Sequence, residues 1–173
     1  MKAKILISLI VSVIVLISGC TILKGTQFED GMQKIELIGA KYGVTTENVV
    51  PIKDTMYGNY TKELIEYREQ LKNENQLNDV KALNLIIDIK LDLVEMQKNI
   101  NSGLKALSTM NCNTGLTEFA KAKKKARIIK QKIQLMENSY KIQARKINGF
   151  TESVKDIANA VIEVEETIKG ICA

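Results

Sequence analysis

Three cysteines offer the most chemistry in this sequence of 173 residues, which contains no histidine. The lack of histidine excludes Ser-His and Cys-His nucleophile pairs, haem held by histidine, and bundle di-iron sites with Glu-x-x-His ligands. Cys20, Cys112 and Cys172 are too far apart in sequence for a C-x-x-C redox motif, and isolated cysteines without histidine make a poor zinc site. The sequence also lacks a glycine-rich phosphate loop. We therefore expect neither an enzyme nor a bound cofactor or metal.

The first cysteine follows a short segment with the features of an export signal. Lys2 and Lys4 precede residues 5–17, which are apolar apart from two serines. A helix that spans a bilayer needs about 20 apolar residues, so a run of this length is typical of a secretory signal. The residues I-S-G-C at 17–20 resemble the lipobox of prokaryotic lipoproteins, in which an aliphatic and two small residues precede a modified cysteine. The resemblance covers residues 1–20 alone.

The resemblance implies a signal peptide over residues 1–19, cleaved between Gly19 and Cys20, and a lipid on the Cys20 thiol. The protein would then be anchored to the extracytoplasmic side of the cell membrane through this lipid. Each buried CH₂ contributes about 0.8 kcal/mol, and two acyl chains anchor stably where one does not. Residues 20–27 would form the tether, and residues 28–173 the folded domain. An ordinary cleaved signal, or an uncleaved N-terminal anchor with a chance cysteine, is the alternative.

If Cys20 carries a lipid, Cys112 and Cys172 remain as a candidate pair. Exported chains meet oxidising conditions, so an even remainder of cysteines suits a disulfide. Two unpaired buried thiols are the alternative. Cys112 lies where two predicted helices turn, and Cys172 ends a helix that runs towards this turn. At 1.5 Å per residue, we expect this last helix to stop about 10–15 Å short. A bent hairpin, a melted tip or an extended final turn over 170–172 could close this gap, and we favour the disulfide over free thiols.

Composition and periodicity predict an all-α fold. The chain has one proline and no tryptophan, and aromatic residues make up 5% of it. Apolar residues recur at alternating steps of three and four over 82–110, 119–147 and 150–171. Short polar breaks separate these stripes, which indicates antiparallel neighbours. We predict an up-down antiparallel bundle of three to four long helices with coiled-coil-like packing, the fourth over 54–74, and a short N-terminal helix over 28–41.

A basic segment over residues 120–132 is a candidate for contact with an anionic surface. Its seven cations are Lys121, Lys123, Lys124, Lys125, Arg127, Lys130 and Lys132. The alternative is a solvated helix face paired with acids on its neighbours, chiefly on the acidic last helix. No aromatic residue is interleaved for base stacking, which disfavours nucleic acid. Without Lys2 and Lys4 the 25 basic residues fall to 23 against 20 acidic ones, a mild net charge of +3.

The remaining candidates concern cavities. Tyr57, Tyr60 and Tyr67 could line a ligand groove, but their spacing also fits ordinary core positions. The small residues Gly103, Ala122 and Ala126 could leave space for a ligand or could let helices approach closely. We predict a membrane-anchored lipoprotein that acts as a helical scaffold or protein-interaction module with a protein partner. The alternative is a lipoprotein that binds a small ligand in a cavity between its helices.

Overall fold

The computed structural model describes residues 26–45, 48–51, 53–72 and 77–172. Within them, a 3₁₀ turn, Asp54–Met56, precedes the second of six α-helices. The helices are α1 Gln27–Ala40, α2 Tyr57–Leu71, α3 Leu77–Ser108, α4 Cys112–Ser139, α5 Lys141–Lys146 and α6 Asn148–Ile171. No strand occurs in these ranges, so the predicted all-α helical bundle is confirmed. The predicted signal peptide, Cys20 and most of the predicted tether lie outside the described residues.

The long helices alternate in direction around α3. α3 packs against α1, α2 and α4, and α6 packs against α4. Two hydrogen bonds fix the directions of the first helices: the Phe28 backbone N–H donates to Asp79 at the start of α3, and Asn101 near the end of α3 donates to Asp54 just before α2. The order is thus up, down, up, down and up, with α5 between α4 and α6. We call the end where α1 and α3 begin the base, and the α3–α4 turn, residues 109–111, the tip.

A capping box starts α1. The Glu29 N–H donates to the Thr26 hydroxyl at 3.4 Å, and the Thr26 N–H donates to the Glu29 carboxylate at 2.9 Å. The predicted stripe of this helix is confirmed, since Phe28, Ile35 and Ile38 are buried. The chain leaves α1 through Gly43, whose φ of 72° is a left-handed conformation that glycine adopts without strain.

The core of the base is built from large side chains of α1, α2 and the first half of α3. Its fully buried members include Phe28, Ile35, Tyr60, Leu64, Leu83, Ile86 and Ile87. Burying one such side chain contributes about 1.5–3 kcal/mol. This core therefore holds α1 and α2 firmly on α3.

A second core joins α3, α4 and α6, and it narrows towards the tip. Its buried members are Ile89, Leu93, Met96, Ala122, Ala126, Ile129, Ile133, Val154 and Ala158, with Val49 from the α1–α2 loop. Beyond it, contact between α3 and α4 depends on glycines. A Cβ on Gly103 would lie 2.7 Å from the Phe119 ring, and one on Gly115 would lie 2.7 Å from Leu107. The helices can approach here only because both residues lack a side chain.

Two details of the predicted helices are wrong. The helix predicted to run to residue 147 is interrupted at Tyr140, with φ −128° and ψ 50°, and again at Ile147, with φ −116° and ψ 23°. Met110, predicted to continue the apolar stripe of α3, is 92% exposed and has a φ of 58°. It occupies the left-handed position of a Schellman motif, in which the Asn111 N–H donates to Ala106 and the Met110 N–H donates to Leu107.

Candidate functional site

The tip brings the predicted cysteine pair together. The Cα atoms of Cys112 and Cys172 lie 5.7 Å apart, inside the range of about 4.4–6.8 Å for disulfides, and the sulfur atoms are at bonding distance. Asn111 sets the position of Cys112, because its side chain accepts a hydrogen bond from the Thr114 N–H at 3.2 Å and caps α4. On the other side, the Cys172 N–H donates to Ile168 and Lys169 at the end of α6.

The expected shortfall of the last helix was wrong, and the break at Tyr140 is the reason. It shortens α4 to 28 residues, about 42 Å. α6 has 24 residues, about 36 Å, instead of the predicted 21. The two helices therefore differ by only about 6 Å, which the α5 segment at the base accommodates.

The basic segment of α4 meets acids mainly on α3, whereas the sequence suggested the last helix. Lys125 and Lys132 bind opposite oxygens of Asp92, at 3.1 and 2.6 Å, and Lys125 also pairs with Glu95. Asp92 is 8% exposed, so these cations neutralise a buried carboxylate. Burial lowers the pKa of Lys125, but hydrogen bonds to Glu95 and Asp92 outweigh it and leave this pKa above its ordinary value.

Other cations of the segment are also engaged. Lys121 pairs with Glu118 at 2.5 Å, and the Lys130 ammonium donates to Asn159 of α6 at 2.8 Å. Lys124 and Arg127 are exposed to solvent. The seven cations thus do not form one uniform face, and contact of this segment with an anionic surface stays a prediction.

The three tyrosines are core residues. Tyr57, Tyr60 and Tyr67 are 3%, 0% and 7% exposed. Burial and a hydrogen bond to Asp54 raise the pKa of Tyr57 to about 12, and burial raises the pKa of Tyr60 still further. Tyr57 and Tyr60 therefore stay neutral at ordinary pH, and all three rings pack in the core of the base.

The space next to the small residues is filled. Gly103 contacts the Phe119 ring, and Ala122 and Ala126 are fully buried in the second core. Concavities among the described residues are open grooves. A groove of 620 Å³ lies between α1 and α2, where Lys41 and Tyr42 both bind Glu63, at 2.7 and 2.5 Å. These contacts engage three of the polar residues that line it.

Lys90 is an unusual buried cation that no sequence pattern marks. It is 7% exposed, and its ammonium lies 4.7 Å from the centre of the Phe150 ring. Burial lowers its pKa to about 8, although the negative charge of Glu36 acts in the other direction. No carboxylate among the described residues forms a salt bridge with it.

Asp79 joins three segments at the base. Its carboxylate accepts a hydrogen bond from the Phe28 N–H at 3.2 Å and another from the Gln143 amide at 2.7 Å. Lys146 adds a second link, because it binds Glu29 at 2.7 Å and the Thr26 hydroxyl at 3.3 Å. These contacts tie the start of α1 to the start of α3 and to α5. Sequence reasoning missed them because Gln143 was assigned to a continuous helix.

No group of three or more acidic or cysteine side chains in the described ranges could hold a metal ion. Over those same ranges, no helix is both long and apolar enough to cross a membrane. No family model matches the sequence, and neither a curated protein nor a solved structure is detectably similar to it. We therefore infer the function from the chemistry and geometry of this chain alone.

Proposed function

We propose that this chain is an extracytoplasmic lipoprotein, anchored through lipid on Cys20, whose helical bundle is a scaffold that presents its tip to a protein partner. The lipobox-like residues 17–20 support the anchor. The missing histidine and the filled core support a binding role over catalysis.

The observation that carries the proposal is the direction of the bundle: its base, and not its tip, lies near Cys20 in the chain. Thr26, six residues after Cys20, lies at the base, bonded to Lys146. α3 runs from the base to the tip over 32 residues, about 48 Å. A chain anchored near its base would therefore hold its tip well away from the bilayer.

The tip has features of a contact surface. Met110 is 92% exposed in a left-handed conformation that costs a non-glycine residue about 1–2 kcal/mol, and Leu104 nearby on α3 is 55% exposed. Backbone strain of this kind clusters at functional sites. In an oxidising compartment, a bond between Cys112 and Cys172 would fix this surface in one conformation.

The anchor is tested by membrane fractionation and intact mass of wild type, Cys20→Ser and the matched control Cys172→Ser. We expect wild type and Cys172→Ser in the membrane fraction, with a mass that begins at Cys20 and includes acyl chains. Cys20→Ser should lack the acyl mass and the cleavage. Full-length, unmodified wild type would refute the anchor.

The partner is tested by placing a photo-crosslinking residue at Met110 and, as a control, at Ile65, which is 41% exposed on α2. We expect a discrete protein adduct from position 110 that Leu104→Glu abolishes. Adducts equal from both positions, or unaffected by the charge at 104, would contradict a docking role for the tip.

A further inference from the structure

The outward face of α5 is basic and apolar at once. Ala144 is buried against the base, whereas Lys141, Ile142 and Arg145 are exposed, with Ile142 68% exposed. At 100° per residue these three side chains span about 100° of the helix surface. An exposed isoleucine beside two cations is typical of interfacial segments, which place apolar side chains in the acyl boundary and cations at headgroups.

The same end of the molecule carries a second exposed apolar residue. Leu77, the first residue of α3, is 64% exposed. Two residues later Asp79 binds Gln143 of α5, so the segments with Leu77 and Ile142 are held together at the base. Leu77 and Ile142 stay exposed because no other helix among the described residues covers them.

Charges at the base favour an anionic partner. Glu29 is bound by Lys146, Glu69 by Lys72, and Glu137, which lines a cleft with Lys141 and Arg145, by Lys155. Asp30, the other acid of the first turn of α1, is also exposed. Among the described residues neither Lys141 nor Arg145 has a carboxylate within salt-bridge distance. Both cations therefore remain available to headgroup phosphates.

The tether restricts where a bilayer can lie. Thr26 lies six residues after Cys20, and a fully extended chain covers about 20 Å over that distance. Thr26 is bound to Lys146, the last residue of α5, at 3.3 Å. If Cys20 is lipidated, α5 is therefore close to the membrane surface.

We propose that the base is a membrane-contact face, in which Lys141 and Arg145 bind anionic headgroups of the bilayer that holds the anchor while Ile142 and Leu77 enter its interface. The inference rests on the lipid anchor of the proposed function. It gives the bundle a fixed orientation, with α5 against the bilayer and the tip directed outward.

The chain has no tryptophan, so a single introduced tryptophan reports its own position. The test uses the lipidated full chain with Ile142→Trp, Leu77→Trp or the tip control Met110→Trp, reconstituted in phosphatidylcholine vesicles with about 30% phosphatidylglycerol and brominated acyl chains. We expect quenching of the two base tryptophans to exceed that of Met110→Trp by about twofold or more, because interfacial side chains lie about 5–10 Å into the headgroup boundary.

A charge-reversal arm tests the headgroup contacts. Each cation near an anionic surface contributes about fivefold to binding, so Lys141→Glu/Arg145→Glu should lower the equilibrium constant for docking of the base by about 25-fold or more and remove the quenching of Ile142→Trp. The matched control Lys105→Glu/Lys124→Glu, which reverses two exposed lysines outside the base, should leave it unchanged. Equal quenching in pure phosphatidylcholine would overturn the role of anionic headgroups.

The outcomes separate the two proposals. An intact mass without acyl chains, together with failure to float with vesicles, would overturn the anchor and the contact face together. Lipidated protein that floats, but shows equal quenching at positions 142, 77 and 110, would overturn the contact face alone.

Discussion

At the base, α3 is surrounded by α1, α2 and α4, and large side chains such as Leu83, Ile86 and Tyr60 fill the space between them. Towards the tip, α3 keeps α4 as its neighbour, and α4 also packs against α6. Glycines mediate the contact there, and Leu104, Met110 and Val164 are exposed. In place of a wide core, the distal end has two cysteines at bonding distance.

The comparison shows two ways to stabilise one bundle. Burial of apolar area stabilises the base through many contacts, each worth about 1.5–3 kcal/mol per side chain. A crosslink between Cys112 and Cys172 would stabilise the tip mainly by restricting the unfolded chain. The base should therefore be insensitive to reductant, and the tip sensitive to it.

The largest effect is expected from Cys172→Ser. A crosslink between residues 60 apart contributes about 4 kcal/mol by the chain-entropy account. Urea denaturation without reductant should show this loss, and wild type in reductant should match the variant. If reductant leaves the wild-type midpoint unchanged, the cysteines do not crosslink the tip.

A core truncation at the base should come next. Ile86→Ala removes a fully buried side chain and should lower the free energy of unfolding by about 3 kcal/mol, because it leaves a cavity. The exposed Leu104→Ala is the control, with an expected change within about 0.5 kcal/mol. If both variants lower the free energy of unfolding by similar amounts, the base and the tip do not differ in how much side-chain burial stabilises them.

Lys90→Met should stabilise the protein by about 2 kcal/mol at pH 7. The folded-state pKa of Lys90, about 8, lies below the ordinary value of 10.5, so the unfolded state binds the proton more tightly. Stability therefore rises with pH as the pH passes from about 8 to about 10.5, and below pH 8 the buried ammonium opposes folding.

The free energy of unfolding that Lys90→Met gains over wild type should shrink as the pH rises from about 8 to about 10.5. Denaturation of both proteins at pH 7 and pH 10 gives the comparison, with Lys124→Met as an exposed control. A destabilised Lys90→Met at pH 7 would mean that contact with the Phe150 ring and Glu36 outweighs desolvation.

The smallest effect concerns the glycine contact. Gly103→Ala gains about 1 kcal/mol of helix propensity but forces a methyl group into the Phe119 ring, so we expect a net loss of about 1 kcal/mol. Gly58→Ala, with no atom within 4 Å, should not destabilise. A stabilised Gly103→Ala would show that the distal helices have room to separate.

The sequence predicted the elements that periodicity encodes. The stripes of α1 and α2, and those of α3 and α4 as far as Ile100 and Met136, are at least partly buried because a 3.5-residue repeat specifies one helix face whatever that face contacts. The tip turn was predicted, but Met110 in its left-handed position was not, because methionine there carries no glycine signal.

Features that depend on tertiary placement could not be predicted. The partners of Lys125 and Lys132 follow from the rotation of α4 relative to α3, which a single stripe does not determine. The break at Tyr140 has no proline or glycine to mark it, yet it decides whether Cys172 reaches Cys112. The proposed membrane-contact face needs that break too, because a continuous helix would not form α5.

Hydrogen exchange with and without reductant tests the two-region account most directly. The account predicts that reductant removes amide protection from residues 100–119 and 158–172, while residues 28–40, 57–71 and 80–94 keep theirs. Uniform loss of protection along the chain, or no loss at the tip, would contradict it.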